Sequence, residues 1–187
     1  QVHLMLKKRH PNLLTIVVPR HPERAEAIAT AMTARGLKVV RRSKSVRIVP
    51  ETDVFLGDTI GEMGLYLRLT EIAFVGRSLS ASGGQNPLEP AMLGAAVLSG
   101  RHVQNFPGAY SRLIDAGAAR LVADQTGLAK AVNHLLKNDE VRHAMMAAGV
   151  EAVAEMRGTL DKTMKVLDPF IQPLIVKARL SQFSNGG

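Results

Sequence analysis

The sequence predicts a doubly wound α/β domain, and three observations carry that expectation. Short apolar, β-branched runs recur along residues 13–122, single helical stretches separate most of them, and no strand-like run follows residue 122. Strands joined through single helices need crossover connections, which make a parallel sheet covered on both faces.

Leu13-Leu14-Thr15-Ile16-Val17-Val18 reads as a buried strand ended by Pro19. Residues 22–35 form the next helix, with Ala25, Ile28, Ala29 and Met32 at helical spacing and Gly36 as its stop. Leu37 to Val40 is a second strand and Asp53 to Gly57 a third. Gly61 to Leu69 is helical, and Ile72-Ala73-Phe74-Val75 is a fourth strand. Residues 87–93 form a helix, Ala96-Val97-Leu98 a fifth strand, Tyr110 to Ala116 a helix, and Ala119 to Val122 a sixth strand. Beyond Thr126, Leu128 to Leu136, Glu140 to Ala148 and Val150 to Leu167 are helix-like, with Pro169 and Pro173 as interruptions and Ser181 to Gly187 as a frayed end. The expected division is an α/β unit over residues 1–125 and a helical tail over 126–187. That tail packs on the unit and can cross to another domain that this chain lacks.

Composition narrows the chemistry. The 187 residues are 46% hydrophobic and 21% charged, which supplies a core and excludes wholesale disorder. The chain has no Cys, so disulfides, thiolate nucleophiles and Cys-ligated zinc are excluded. Six scattered histidines lack metal-ligand spacing, and nothing resembles a carboxylate pair for Mg²⁺; no metal and no cofactor are expected. No apolar run approaches the roughly 18 residues of a membrane-spanning helix. The first residues carry no signal-peptide pattern and read as a chain cut from something longer.

The net charge of +8 is all N-terminal. Eleven of 24 Lys and Arg lie in residues 1–50 against Glu23 and Glu26, giving +9, while the remaining 137 residues carry −1. A solvated basic face and an anion-attracting surface both fit. Nucleic acid is not expected as a partner, because aromatics are only 4% and none is interleaved with the basic cluster to stack on bases.

In an open α/β sheet, ligands sit beyond the carboxyl ends of the strands, where helix N-termini present unpaired N–H groups. Three junctions stand out. In Pro19-Arg20-His21-Pro22-Glu23-Arg24, two prolines fix the backbone around a guanidinium that can grip a phosphate, or that can simply face water. In Gly57-Asp58-Thr59-Ile60-Gly61-Glu62, the Thr59-x-x-Glu62 spacing matches a capping box, while Ile60, Gly61 and Glu62 can form a close backbone wall. In Gly83-Gly84-Gln85-Asn86-Pro87-Leu88-Glu89, Asn86 suits the N-cap, Pro87 the first helical position and Glu89 the third. That last segment either starts a helix and no more, or offers amides to a phosphate and a carboxylate to ribose hydroxyls.

These motifs, with Ala73-Phe74-Val75-Gly76-x-Ser78-Leu79 between the second and third, occur in the order and spacing of a known family. The chain resembles the C-terminal half of the bacterial 3-deoxy-D-manno-octulosonic acid (Kdo) transferases over roughly residues 13–120. The resemblance implies a Rossmann-like C-terminal domain of a GT-B glycosyltransferase, which moves Kdo from CMP-Kdo to a lipid A precursor at the cytoplasmic face of the bacterial inner membrane, in lipopolysaccharide synthesis. It places the CMP contacts on Pro19, Arg20, Ile60, Gly61, Glu62, Asn86, Pro87, Leu88 and Glu89, with Ser78, Gly83, Gly84 and Gln85 as further candidates. It also implies that the catalytic base is a Glu of an N-terminal domain outside this chain, so no catalytic residue is expected here. Two positions depart from the family: Arg77 stands where Gly is usual, and Gln85 where His is common. Arg77 either turns outward or meets the donor's carboxylate. The basic N-terminal segment is expected to face anionic lipid, and the fragment alone to be a soluble monomer that binds CMP weakly. The rivals are another GT-B enzyme using a UDP-sugar, a non-catalytic anion- or membrane-binding module, and a degenerate paralogue that has lost donor binding.

Overall fold

A computed structural model of the chain describes residues 1–44, 47–80 and 83–184, with side chains described outside 159–165 and 173–184. All six expected strands form: β1 Thr15–Val17, β2 Val39–Arg41, β3 Val54–Leu56, β4 Ile72–Val75, β5 Ala96–Ser99 and β6 Ala119–Leu121. Every pairing is parallel, with Ile16 and Val40 flanking Phe55, and Phe74 and Arg120 flanking Leu98. The strands make two three-stranded sheets, β1-β3-β2 and β4-β5-β6, rather than one continuous sheet.

The second sheet holds most of the core, and β5 shows why. Its four residues are all buried, and alternate side chains leave opposite faces. Val97 packs with Val75, Ala91, Leu113 and Val153 on one face. Ala96 and Leu98 pack with Leu128, Leu135 and Met145 on the other. A strand covered on both sides reads as an unbroken apolar run, as Ala96-Val97-Leu98 does.

The connecting helices are α1 Val2–Lys7, α2 Ala25–Thr33, α3 Met63–Arg68, α4 Leu88–Met92, α5 Pro107–Asp115, α6 Gln125–Lys137 and α7 Asp139–Ser184. Residues 22–24, expected as the first turn of a helix, form a separate 3₁₀ turn before α2. α5 starts earlier than the apolar spacing indicates, because Pro107 occupies a first-turn position where its missing N–H has no partner to lose. α6 is capped by Asp124, whose Oδ1 accepts from the Gly127 amide at 2.7 Å.

α1 was not anticipated. It fastens the first sheet: His3 Nδ1 meets Thr15 Oγ1 at 2.8 Å, and Lys7 pairs with Asp53, which also accepts from the Lys38 amide at 2.8 Å. Val2 packs against the buried cluster that contains Ala96, Leu98 and Leu128, and His10 Nε2 lies 3.0 Å from Asn133 Oδ1 on α6. The N-terminal segment therefore contacts both halves of the chain.

The expected breaks in the tail do not occur. α7 runs through Gly149, Pro169 and Pro173 as one helix of 46 residues. Proline in a helix interior removes one N–H···O bond, but a solvent-facing carbonyl can bond water instead, and Pro169 is exposed. Gly149 has a packing reason: a Cβ there would come within 3.3 Å of the Ala91 carbonyl on α4. Of the expected frayed end, residues 181–184 lie within α7, and residues 185–187 lie outside the described residues. Among the described residues no helix is long and apolar enough to cross a membrane.

Candidate functional site

The three junctions selected from the sequence all follow carboxyl ends of parallel strands. Pro19 and Arg20 follow β1, and residues 60–62 follow β3, its hydrogen-bonded neighbour. Residues 76–89 follow β4 in the other sheet. The candidates thus occupy two rims, one on each sheet.

On the first rim, Arg20 is exposed and makes no hydrogen bond or ion pair with any described residue. Its neighbour His21 faces Glu23 at 3.3 Å. Ile60 is 88% exposed, an unusual position for a large aliphatic side chain. Gly61 has φ +86 and nothing within 4 Å of where a Cβ would stand, so its backbone faces open space.

Glu62 does not form the capping box that its spacing from Thr59 suggests: it stands at the N-cap of α3, but its side chain caps no amide. Its carboxylate instead takes hydrogen bonds from Thr59 Oγ1, from Tyr66 Oη at 3.1 Å, and from Arg42 Nη2 at 2.9 Å. The Thr59 hydroxyl, followed by the Arg42 guanidinium, holds that carboxyl below the usual carboxylate range. Glu62 is an anchor of the loop more than a free group on its rim.

Beneath it, Asp58 accepts from the Ser43 amide at 2.8 Å, the Ser43 hydroxyl at 2.6 Å and Arg41 Nε at 2.9 Å. Burial pushes its pKa up, but the bonds from Ser43 and Arg41 outweigh that and hold it below the ordinary value. Arg41 also pairs with Glu26. Two arginines of the basic run are therefore structural ties, and so is Lys7 through Asp53. The basic surface is smaller than the sequence count implies.

The second rim is built by hydrogen bonds between the loops after β4 and β5. Ser78 is fully buried; its hydroxyl donates to the Val75 carbonyl at 2.6 Å and accepts from the Gly100 amide at 2.8 Å. Its polar atom is thus engaged inside the fold. Gly83 and Gly84 are buried with φ near +80 and +72, and both carbonyls take hydrogen bonds from Asn105. A Cβ on Gly84 would meet the His102 carbonyl at 2.8 Å, so close backbone approach requires the glycine. The Gln85 carbonyl accepts from the buried Tyr110 hydroxyl at 3.1 Å, and that hydroxyl also takes the Ser99 hydroxyl. Pro87 is likewise buried and shapes the turn, with no ring face left for a ligand.

Asn86, Leu88 and Glu89 remain at the surface of this loop, with Leu88 half-buried. Asn86 Oδ1 accepts from the Leu88 amide at 3.0 Å, so it does act in turn formation as its type suggests. Glu89 is exposed, and its carboxylate makes no hydrogen bond or ion pair with any described residue. Its carboxylate caps no amide of α4. α4 has only five residues, so its N-terminus offers individual N–H groups and little macrodipole.

Tyr110, Asn105, Ser99 and Arg42 were missed as positioning residues. A buried tyrosine hydroxyl needs a partner, which is the one signal in the sequence that could have marked Tyr110. The others act through pairings 11 to 22 residues away that no local pattern displays. A cavity of about 730 Å³ lies elsewhere, between β6, α6 and α7, lined by Leu98, Ala119, Ala131, His134 and Met145 among others. No candidate residue lines it. Among the described residues no cluster of three acidic or histidine side chains could hold a metal ion.

Comparison with known proteins gives a consistent result. No protein-family model matches the chain. It is 37% identical over 171 residues, 91% of its length, to the 3-deoxy-D-manno-octulosonic acid transferase of Haemophilus influenzae, and covers 40% of that protein. It is 36% identical over 162 residues to the enzyme of the same name from Bordetella pertussis, covering 38% of it. The chain thus spans about two-fifths of the length of these curated relatives. Among solved structures, the C-terminal CMP-Kdo binding domain of WaaA from Acinetobacter baumannii superposes with a TM-score of 0.77 at 30% identity, over 82% of this chain and 81% of that one.

Proposed function

Since the chain belongs to the 3-deoxy-D-manno-octulosonic acid transferase family and corresponds to its C-terminal domain, we propose that the two rims together bind CMP-Kdo and hold it for transfer to a lipid A precursor. One observation carries this reading. Arg20 and Glu89, the charged side chains that donor binding calls for, are left without partners on loops whose other polar groups are largely engaged in structure.

In this reading Arg20 takes the phosphate through paired N–H donors, while Glu89 accepts from the ribose hydroxyls. The open backbone at Ile60 and Gly61 forms the wall against which the nucleoside rests. As the glycosidic bond breaks, charge grows on the CMP phosphate, and a guanidinium already in place stabilises it without reorganisation. The nucleophile is a hydroxyl of the acceptor, and its proton goes to a base outside this chain. The reaction needs no cofactor and no metal. Residues 1–125 form the donor-binding unit and residues 126–187 the tail. Val166 and Phe170, one turn apart on α7 and 68% and 70% exposed, supply an apolar stripe where that tail crosses to another domain. The residual basic surface, Lys8 and Arg9 included, faces the anionic cytoplasmic leaflet of the inner membrane and the phosphorylated acceptor. The chain alone is a monomer that binds the nucleotide and transfers nothing.

Calorimetric titration of CMP into the chain tests this. Arg20→Ala is expected to weaken CMP about tenfold or more, the loss of a charge-assisted hydrogen-bond pair, and Glu89→Ala by a smaller factor. Tighter binding of UDP than of CMP, or variants that bind CMP as the parent does, would overturn it.

A further inference from the structure

Arg77 has φ +59, and it is the one described residue other than glycine in the left-handed region. A non-glycine side chain there strains the backbone, and the position calls for glycine on conformational grounds alone. The surroundings fix it firmly. The Arg77 carbonyl accepts from the Gly84 amide at 3.1 Å, and the next residue is the fully buried Ser78. The backbone cannot escape the strain without undoing the loop. Local strain that persists in a loop at a strand's carboxyl end is a pointer to function.

The side chain adds a second observation. The Arg77 side chain is exposed, and no hydrogen bond or ion pair joins its guanidinium to any described residue. By contrast, Arg41, Arg42 and Arg142 each hold a carboxylate. Arg77 lies on the β4 rim, tied directly to the loop that carries Asn86 and Glu89, whereas Arg20 lies on the β1 rim.

Resting on the donor-binding reading above, we propose that Arg77 binds the sugar carboxylate of CMP-Kdo. An octulosonic acid linked through its anomeric carbon brings two anions together, the phosphodiester and a carboxylate borne on that same carbon. A planar carboxylate matches the guanidinium fork, and a guanidinium cannot lose its charge at any working pH. Arg20 on one rim and Arg77 on the other give each anion its own partner. The carboxylate contact also selects for an acidic sugar, since a neutral sugar on the same nucleotide offers Arg77 nothing.

The test uses this chain with three probes: CMP, a 3-fluoro CMP-Kdo that resists hydrolysis, and the C1 methyl ester of that analogue. Arg77→Gly relieves the backbone, so its thermal midpoint should equal or exceed the parent's. It is expected to bind CMP within about twofold of the parent and the acidic analogue about tenfold more weakly, the loss expected for a charged hydrogen-bond partner. The ester should bind parent and variant alike, and Arg77→Lys should recover part of the loss. Equal weakening of CMP and the acidic analogue would move Arg77 to the phosphate and overturn the proposal. So would an Arg77→Gly variant that binds both as the parent does. A parent chain that does not bind CMP at all refutes the donor-binding reading first, and this proposal with it.

Discussion

Arg42 holds one oxygen of Glu62 with two donors, Nη2 at 2.9 Å and Nε at 3.3 Å, and so ties the residue after β2 to the loop after β3. Both side chains are partly exposed, at 44% and 25%, so the pair adds little to global stability. Its value is positional, because it steadies the turn at Ile60 and Gly61. Arg42→Ala is expected to weaken CMP about threefold to tenfold while leaving the unfolding midpoint nearly unchanged. Titration and urea unfolding on the same sample check both. A large stability loss with unchanged affinity would make the pair structural only.

Gly100 closes β5 directly against the Ser78 carbonyl, and a Cβ there would overlap that backbone group. Neither partner can withdraw, because Ser78 is fully buried and bonded on both sides. Gly100→Ala is therefore expected to cost more than about 3 kcal/mol or to prevent folding. Gly108→Ala is the control: nothing lies within 4 Å of its Cβ position inside α5, and the change should be neutral or stabilising. Chemical denaturation of the two variants separates packing from any general intolerance of alanine.

Arg142 fastens α7 to the second sheet. Its guanidinium meets Glu71 Oε2 at 2.6 Å, the Leu135 carbonyl at 2.7 Å and Asp139 Oδ1 at 2.8 Å, with only 10% of the side chain exposed. Arg142→Met keeps the buried stem and removes the donors. The expected loss is about 1–3 kcal/mol, since the Leu135 carbonyl is left without its partner while Glu71 and Asp139 can turn to water. Urea unfolding gives the number. Hydrogen exchange should show the loss at α7 and at the start of β4 before it appears elsewhere.

The strands were legible because each lies in a short apolar, β-branched run, and all six fall within a residue or two of the expected places, although β5 alone is buried along its whole length. Helix α1 was not legible. Its six residues are bracketed by charge and lack a long apolar repeat, and its stability comes from tertiary contacts of His3, Leu6 and Lys7. The continuous α7 was misread at its prolines, where a local rule about backbone bonding was overridden in a solvent-facing helix. At the site, motif positions located the loops but not the division of labour within them. Glu62 and Ser78 have types that suit ligand contact, yet long-range partners engage both, and those partners leave no local trace. The split into two sheets is also invisible to periodicity, since a strand pattern records burial and not its neighbour.

Acid should destabilise the fold in two steps. His3 is 7% exposed, with Nε2 lacking a hydrogen bond, and burial, then the charges of Lys7 and the N-terminus, hold its pKa below the ordinary value. Asp53 lies 3.5 Å from that ring, but its charge is already met by Lys7, so it does not reverse the direction. Below about pH 6.5 the unfolded chain takes up a proton at His3 that the folded chain refuses, so stability falls as pH drops through this window. Asp58 and Glu62 act lower. Their folded pKa values are depressed, so the stability they contribute is full above the ordinary carboxylate range near pH 4 and is lost as pH falls through their folded values. Urea midpoints at pH 8, 5.5 and 3.5 resolve the two steps. His3→Asn, which keeps a hydrogen-bonding group beside Thr15, should abolish the loss between pH 8 and 5.5 and leave the loss below pH 4 intact. A variant that follows the parent between pH 8 and 5.5 would remove His3 as the cause of the upper step.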